Sequence, residues 1–174
     1  MADAWSQWQD IGNAKKDERG YYGTYQIRIV DEITKKPISI SRIGGVDKEG
    51  IIYIGKAGPN NSLGSRIDSF FEGRHSGSGT YDLMWESLRV KQHPYWKHHL
   101  QYRVIRLFPD KVEPDLDNVN EFRYMKRIRE EEIKALAEYF SKYAELPPCN
   151  STVTGKWKGF LDELEKSHGF EWKH

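Results

Sequence analysis

The sequence has little cysteine, no long apolar run and almost no net charge. The first two shortages exclude particular kinds of site and of protein. Cys149 is the single cysteine among 174 residues, which excludes an internal disulfide and a zinc site built from cysteines. No apolar run approaches the roughly 18 residues that a membrane span requires, and the first 20 residues do not resemble a signal peptide. We therefore expect a soluble, cytoplasmic protein.

The chain does contain enough apolar material to form a folded core. Hydrophobic residues make up 37% of it and aromatic residues 13%, which excludes disordered and collagen-like proteins. A length of 174 residues predicts one domain. Within it we distinguish an N-terminal extension (residues 1–20), a core (residues 21–150) and a C-terminal helical extension (residues 151–174).

Charge is unevenly distributed along the chain, although the net charge is only +1. From residue 85 to residue 106 there are five basic residues and one acidic residue, a local surplus of +4, and an acidic stretch follows. This pattern permits a basic face for nucleic acid, and it is equally typical of a mixed solvated surface. The candidate DNA-binding residues are Arg74, Arg89, Lys91 and Lys97.

Three segments have the composition of β-strands. Residues 22–30, 50–55 and 100–107 combine β-branched and aromatic residues with partial alternation, and residues 38–43 predict a further strand or a strand extension. The turn residues between the first two segments favour an antiparallel hairpin or meander.

Helical patterns follow the second strand. Ser62 occupies a position typical of a helix N-cap, and the next apolar residues recur at helical spacing, with Arg66 at the edge of their stripe. The glycine- and serine-rich residues 73–80 predict a flexible loop before a helix over residues 81–91. The longest helical pattern covers residues 121 to about 145, and Glu132 is the charged member of its apolar stripe. Residues 158–168 suggest a terminal helix.

Gly23-Thr24-Tyr25 and Tyr53-Ile54-Gly55 are the first of several short elements that occur in order along the chain. They resemble the two triplets that name the GIY-YIG nuclease family, with Thr24 in place of isoleucine in the first. Each triplet alone is a weak signal, and each residue alone has an ordinary structural explanation. The specificity lies in the joint order over residues 22–150, which continues with Lys56-Ala57, a loop with Asn60 and Asn61 before the Arg66 helix, Glu132, and Pro147-Pro148-Cys149-Asn150.

The resemblance implies an α+β fold, a small three-stranded antiparallel sheet flanked by helices, with N- and C-terminal additions. It implies a DNA endonuclease that hydrolyses phosphodiester bonds with Mg²⁺ or Mn²⁺. Because almost nothing accompanies the core, we expect a stand-alone enzyme that acts on double-stranded DNA, of the type II restriction kind, and palindromic cutting would favour a homodimer. The alternatives are a structure-specific nuclease of DNA repair or recombination, and a nucleic-acid-binding module without catalysis.

The resemblance also implies a role for each site residue. Tyr25 and Tyr53 would orient and deprotonate the attacking water, which requires nearby positive charge because the ordinary pKa of a phenol is near 10. The remaining roles are a phosphate contact for Arg66, positive charge from Lys56, metal binding by Glu132 and anchoring of the site by Asn150.

Two positions depart from the family pattern. Phe70 stands four residues after Arg66, where members often have histidine or tyrosine, and His75 is the candidate substitute, although a lone loop histidine is more often solvated. Family spacing would select Glu138 as the metal ligand, but Glu138 lies on a polar face, so we prefer Glu132, which can point towards the sheet. Weaker candidates, without convincing metal-site spacing, are His93, His98 and His99.

Overall fold

The computed structural model describes residues 4–59, 61–75, 77–78, 80–83, 86, 98–109, 118–150 and 166. The strands in this part are β1 (Gln9–Asp10), β2 (Tyr21–Asp31), β3 (Ile40–Arg42), β4 (Gly45–Asp47), β5 (Ile51–Ala57) and β6 (His98–Pro109). The helices include a 3-10 turn (Ile11–Asn13), α1 (Ala14–Asp17), α2 (Leu63–Phe71) and α3 (Asn118–Tyr143), and residues 77, 78, 80–83 and 86 are also helical.

The main sheet is antiparallel and has the strand order β1-β6-β2-β5, which confirms a mixed α+β protein. The prediction of three strands was wrong, because the N-terminal extension adds β1 to the outer edge of β6, with Gln9 opposite Tyr102. A two-residue strand is too short to show alternation in a sequence. It forms because the edge of β6 offers unpaired backbone groups.

The segment predicted as a strand over residues 38–43 is shorter and belongs elsewhere. β3 pairs with β4 in a separate two-stranded hairpin instead of extending the main sheet. The hairpin is tied to the end of α3, since Gly44 N–H donates to the Tyr143 carbonyl (2.8 Å) and Arg42 pairs with Glu145 (2.7 Å). A side chain at Gly44 would collide with the Tyr143 backbone, which lies 2.7 Å from an ideal Cβ position.

Helices cover both faces of the main sheet. One face packs against α1 and α2 in a core that includes Ile27, Leu63, Ile67 and Tyr102. The other packs against α3, which inserts Leu136 among the sheet residues. The two helical layers therefore exclude water from both sides of β2 and β5, and this burial is the main source of stability.

The predicted helices agree with α2 and α3. Ser62 caps α2 by accepting a hydrogen bond from Ser65 N–H (3.3 Å), and Ile128, Glu132 and Tyr139 of the predicted α3 stripe are buried. The flexible loop predicted over residues 73–80 was wrong in its second half, because residues 77, 78 and 80 are helical and His75 and Ser78 are buried. Residues 81–83 and 86 are helical, in agreement with the helix predicted over residues 81–91.

The N-terminal extension packs against the sheet. Trp5 and Trp8 lie against the α3-side core, and the Arg28 guanidinium lies 4.2 Å from the Trp8 ring centre. No helix of the described part is both long and apolar enough to cross a membrane. The predictions for residues 87–91, for the acidic residues 110–117 and for the C-terminal extension other than residue 166 lie outside the described residues.

Candidate active site

The register of β2 and β5 brings the two predicted tyrosines together. Tyr25 is opposite Gly55, and Ile27 is opposite Tyr53. Because side chains alternate along strands, both phenols project from the same face of the sheet. Their ring centres are 5.8 Å apart, and Tyr25 is fully buried. The Tyr25 hydroxyl lies beside Tyr53, but within the described residues no group meets the geometry of a hydrogen bond with it.

Gly55 leaves the space that both rings occupy. An ideal Cβ at this position would lie 2.5 Å from Cε1 of Tyr53 and 2.9 Å from the hydroxyl oxygen of Tyr25. Real Cβ atoms do not approach other atoms so closely, and the rings cannot move without disturbing a packed core. The last position of the second triplet therefore has a local reason to be glycine.

Helix α2 contributes Arg66 on the same side of the sheet. Its Nη2 lies 2.7 Å from Nε2 of His75. Phe70, one turn later, is buried, and its ring centre is 5.1 Å from that of Tyr53. Phe70 thus holds the Tyr53 ring by packing, at the position where we had noted the departure from the family pattern.

His75 is fixed in a tight turn. Gly77 N–H donates to its Nδ1 (3.0 Å), and its own backbone N–H donates to the Ser78 hydroxyl (3.0 Å). Its Nε2 lies 3.4 Å from the Tyr53 hydroxyl oxygen. The residue is only 6% exposed, so the expectation that a lone loop histidine is solvated does not hold here.

Gly77 is a site residue that the sequence did not reveal. A Cβ there would lie 2.8 Å from Cε2 of Tyr53 and 3.0 Å from the carbonyl oxygen of Cys149. Its backbone therefore forms a wall of the site and also orients His75. In the sequence Gly77 is one of several glycines in a segment that resembles a linker, and no spacing pattern distinguishes it.

Lys56 and Glu132 lie on the α3 side of the sheet. Lys56 Nζ is 2.8 Å from Glu132 Oε2, and Glu132 is 5% exposed. The prediction that Glu132 points towards the sheet is confirmed, whereas Glu138 is exposed. The negative charge of Glu132 reaches both tyrosines, since it raises the pKa of Tyr25 and of Tyr53.

Asn150 is bound to the outer edge of β5. Its Oδ1 accepts from Ile54 N–H (2.9 Å), and its Nδ2 donates to the Ile54 carbonyl (2.7 Å). Cys149 N–H donates to the Ile52 carbonyl (2.8 Å) beside it. The segment after the two prolines thus pairs with the strand that carries Tyr53.

Burial dominates the titration of the tyrosines and of His75. Burial raises the pKa of both Tyr25 and Tyr53, and Arg66 opposes this rise only in part. Burial and then the Arg66 charge lower the pKa of His75 to about 4. At neutral pH both phenols are therefore protonated and the imidazole is neutral, so the expected lowering of a tyrosine pKa is not present in the protein alone.

The other predicted residues lie away from this cluster or outside the described residues. Arg74 is exposed and pairs with Asp68 (3.5 Å) and Glu72. His99 is 2.5 Å from Asp10 at the β1 edge, and His98 begins β6. Outside the described residues are Arg89, Lys91, Lys97, His93 and Asn60.

No group of three or more histidine, cysteine, aspartate or glutamate side chains is placed to hold a metal ion in the described part of the chain. Glu132 offers one carboxylate. Comparison of the chain with protein-family models, curated proteins and solved structures gave no match.

Proposed function

We propose that this chain is a metal-dependent DNA endonuclease of the GIY-YIG kind. The observation that carries the proposal is the convergence of Tyr53, Arg66 and His75, which come from a strand, a helix and the turn after it. His75 Nε2 is 2.7 Å from Arg66 Nη2 and 3.4 Å from the Tyr53 hydroxyl oxygen. Such a group of donors beside a phenol suits an oxyanion such as a phosphodiester.

Arg66 and His75 bind the scissile phosphate in this proposal. Gly77 N–H donates to Nδ1 of His75 and Arg66 Nη2 lies 2.7 Å from Nε2, so both ring nitrogens face donors, although a neutral imidazole accepts at only one of them. A bound phosphate removes this conflict, because Nε2 can then carry the ring proton and donate to the phosphate beside the guanidinium of Arg66. A phosphate oxygen accepts from both, and such charge-assisted hydrogen bonds are strong.

Tyr53 positions the attacking water and takes its proton. The Tyr53 phenol first loses its proton to solvent, and the phenolate then takes a proton from the water. The water oxygen forms a bond to phosphorus, the P–O bond to the leaving oxygen breaks, and the leaving oxygen keeps the electron pair and is protonated by solvent. Burial disfavours that phenolate in the protein alone. The reaction therefore requires positive charge near Tyr53, and Arg66 supplies part of it.

Glu132 is the residue that would hold Mg²⁺ or Mn²⁺. These ions take one or two protein carboxylates and complete their shells with water and substrate phosphate oxygens, so a single buried carboxylate fits them. When bound, the ion neutralises charge on the phosphate and the leaving oxygen. Lys56 orients the Glu132 carboxylate through their 2.8 Å ion pair.

Cleavage of supercoiled plasmid DNA is the measurement that tests the proposal. The wild-type protein is expected to nick or linearise it with Mg²⁺ or Mn²⁺ but not with EDTA. Arg66→Ala is expected to lower the rate at least about 100-fold, because it removes a main donor to the transition state. The matched control is Arg123→Ala, since Arg123 is an exposed arginine of α3. This variant is expected to cleave at the wild-type rate. DNA that is bound but stays intact, or cutting that Arg66→Ala leaves unchanged, would contradict the proposal.

A further inference from the structure

A basic groove lies between α1 and α2. It has a volume of about 800 Å³ and is lined by cationic residues from α1, its flank and the turn after α2. These residues are Lys15, Lys16, Arg19 and Arg74, and Asp68 is the single acidic residue of the lining. The lining therefore carries a formal charge of +3, four basic residues against one acidic residue.

The groove has rigid walls because α1 and α2 are in close contact. Gly64 N–H donates to the Glu18 carbonyl (3.1 Å), and an ideal Cβ at Gly64 would lie 2.9 Å from the Ala14 carbonyl oxygen. The neighbouring Glu18 carboxylate is fully buried and points away, since it pairs with Arg106 (2.6 Å). It does not reduce the positive charge at the surface of the groove.

Asp68 holds two of the four cationic side chains in place. It lies 3.1 Å from Lys15 and 3.5 Å from Arg74, which also pairs with Glu72, and the two cationic side chains are 70% and 61% exposed. Lys16 and Arg19 are also exposed and have no carboxylate partner within the described residues. The charge that is not neutralised is thus open to solvent, where a polyanion can reach it.

Two residues of the groove lining are next to site residues in the sequence. Ser65 of its lining precedes Arg66, and Arg74 precedes His75. A strand whose phosphate is held by Arg66 and His75 must continue past one side of this pair. The groove offers cationic side chains from residues that include direct chain neighbours of this pair. Phosphates repeat regularly along a strand, and charged lysines and arginines bind them without regard to sequence.

We propose that the α1–α2 groove binds the sugar-phosphate backbone of the DNA strand that leaves the active site. This inference rests on the proposed nuclease function and adds a second contact region to it. The N-terminal extension then has a role in substrate binding, because α1 and Arg19 form one wall of the groove.

The salt dependence of DNA binding tests this role. Binding of a fluorescent 25-base-pair duplex is measured by anisotropy in EDTA, so that no DNA is cut, at salt concentrations from 50 to 200 mM. The test variant is Lys16→Ala with Arg19→Ala. The control is Lys36→Ala with Lys48→Ala, which removes the same charge from exposed turns outside the groove and the site.

Each lost phosphate contact is expected to flatten the slope of log K against log salt by about 0.9, so the double groove variant should lose about 1.8. Between 50 and 200 mM salt, the factor by which DNA affinity falls should then be about 12 times smaller for the groove variant than for the control. Asp68→Asn is expected to increase the affinity, because it removes the one negative charge of the lining.

Equal salt slopes for the groove and control variants would overturn the inference, as would absence of DNA binding by the wild-type protein. Thermal unfolding of each variant shows whether the fold is retained. Plasmid cleavage in Mg²⁺ is measured with the same preparations. Cleavage together with equal slopes refutes the groove alone, whereas intact plasmid together with a flattened slope refutes the nuclease activity alone.

Discussion

At the scale of single residues, the surroundings of His75 change the pKa of its side chain. In solution a histidine has a pKa near 6.5 and is partly charged near neutrality. In this protein burial and the adjacent Arg66 lower its pKa to about 4, so the ring stays neutral well below pH 6. Both nitrogens of this neutral ring are in polar contact, Nδ1 with Gly77 N–H and Nε2 with Arg66 and the Tyr53 hydroxyl.

This lowered pKa predicts a pH-dependent contribution to stability. Between about pH 6.5 and pH 4 the unfolded chain binds a proton at His75 and the folded protein does not, so His75 makes the folded state lose stability as the pH falls through this range. His75→Gln removes this contribution. We expect the loss of unfolding free energy between pH 7.5 and 4.5 to be roughly 2 kcal/mol smaller in His75→Gln than in the wild type.

Urea unfolding at the two pH values measures this difference. Other groups that titrate in acid, such as Asp31, whose pKa is lowered by hydrogen bonds from Thr34, contribute equally to both proteins and cancel. Equal losses in the two proteins would show that His75 is not held neutral by its surroundings.

At the scale of elements, the outer edge of β5 is completed by a loop. β5 is the last strand of the main sheet, and an exposed strand edge leaves backbone groups unpaired. Asn150 satisfies both backbone groups of Ile54, and Cys149 N–H pairs with Ile52. The resemblance had assigned Asn150 an anchoring role, and the structure shows which strand it binds.

Loss of these two hydrogen bonds is expected to destabilise the protein. Asn150→Ala leaves two backbone groups of Ile54 without their partner, and unpaired buried polar groups cost about 1–3 kcal/mol each. We expect a loss of about 2 kcal/mol in unfolding free energy, measured with urea. Asn13→Ala is the control, since Asn13 is exposed and makes no side-chain capping bond. It should change stability by less than about 0.5 kcal/mol, and a similar loss in both variants would contradict this account of the edge.

Long helices and strands could be predicted from the sequence, whereas the shortest strand could not. β2, α2 and α3 are long enough for alternation, a capping serine and a helical stripe to identify them. β1 has two residues and forms only because β6 lies beside it, so no local pattern marks it. Gly77 and Ser78 resemble a linker in sequence, and they become ordered through contacts with Tyr53 and His75 that arise only in the folded chain.

At the scale of the whole molecule, residues far apart in the chain meet around β5. Tyr25, Arg66 and His75 lie on the α2 side, and Lys56 and Glu132 lie on the α3 side. The resemblance to the GIY-YIG family identified these residues as candidates, and helix phase selected Glu132. The groove of α1 and α2 was not predictable as a surface, because its cationic residues come from separate segments and acquire a common direction only on folding.

The most direct measurement of the central claim compares two glutamates of the same helix. Single-turnover cleavage of plasmid in saturating Mg²⁺ is measured for the wild type, Glu132→Gln and Glu138→Gln. We expect Glu132→Gln to be at least about 100-fold slower, because an amide holds a divalent cation far less well than a carboxylate. Glu138→Gln is expected to cleave at the wild-type rate, since Glu138 is exposed. Full activity of Glu132→Gln, or equal losses in both variants, would contradict the assignment of this site.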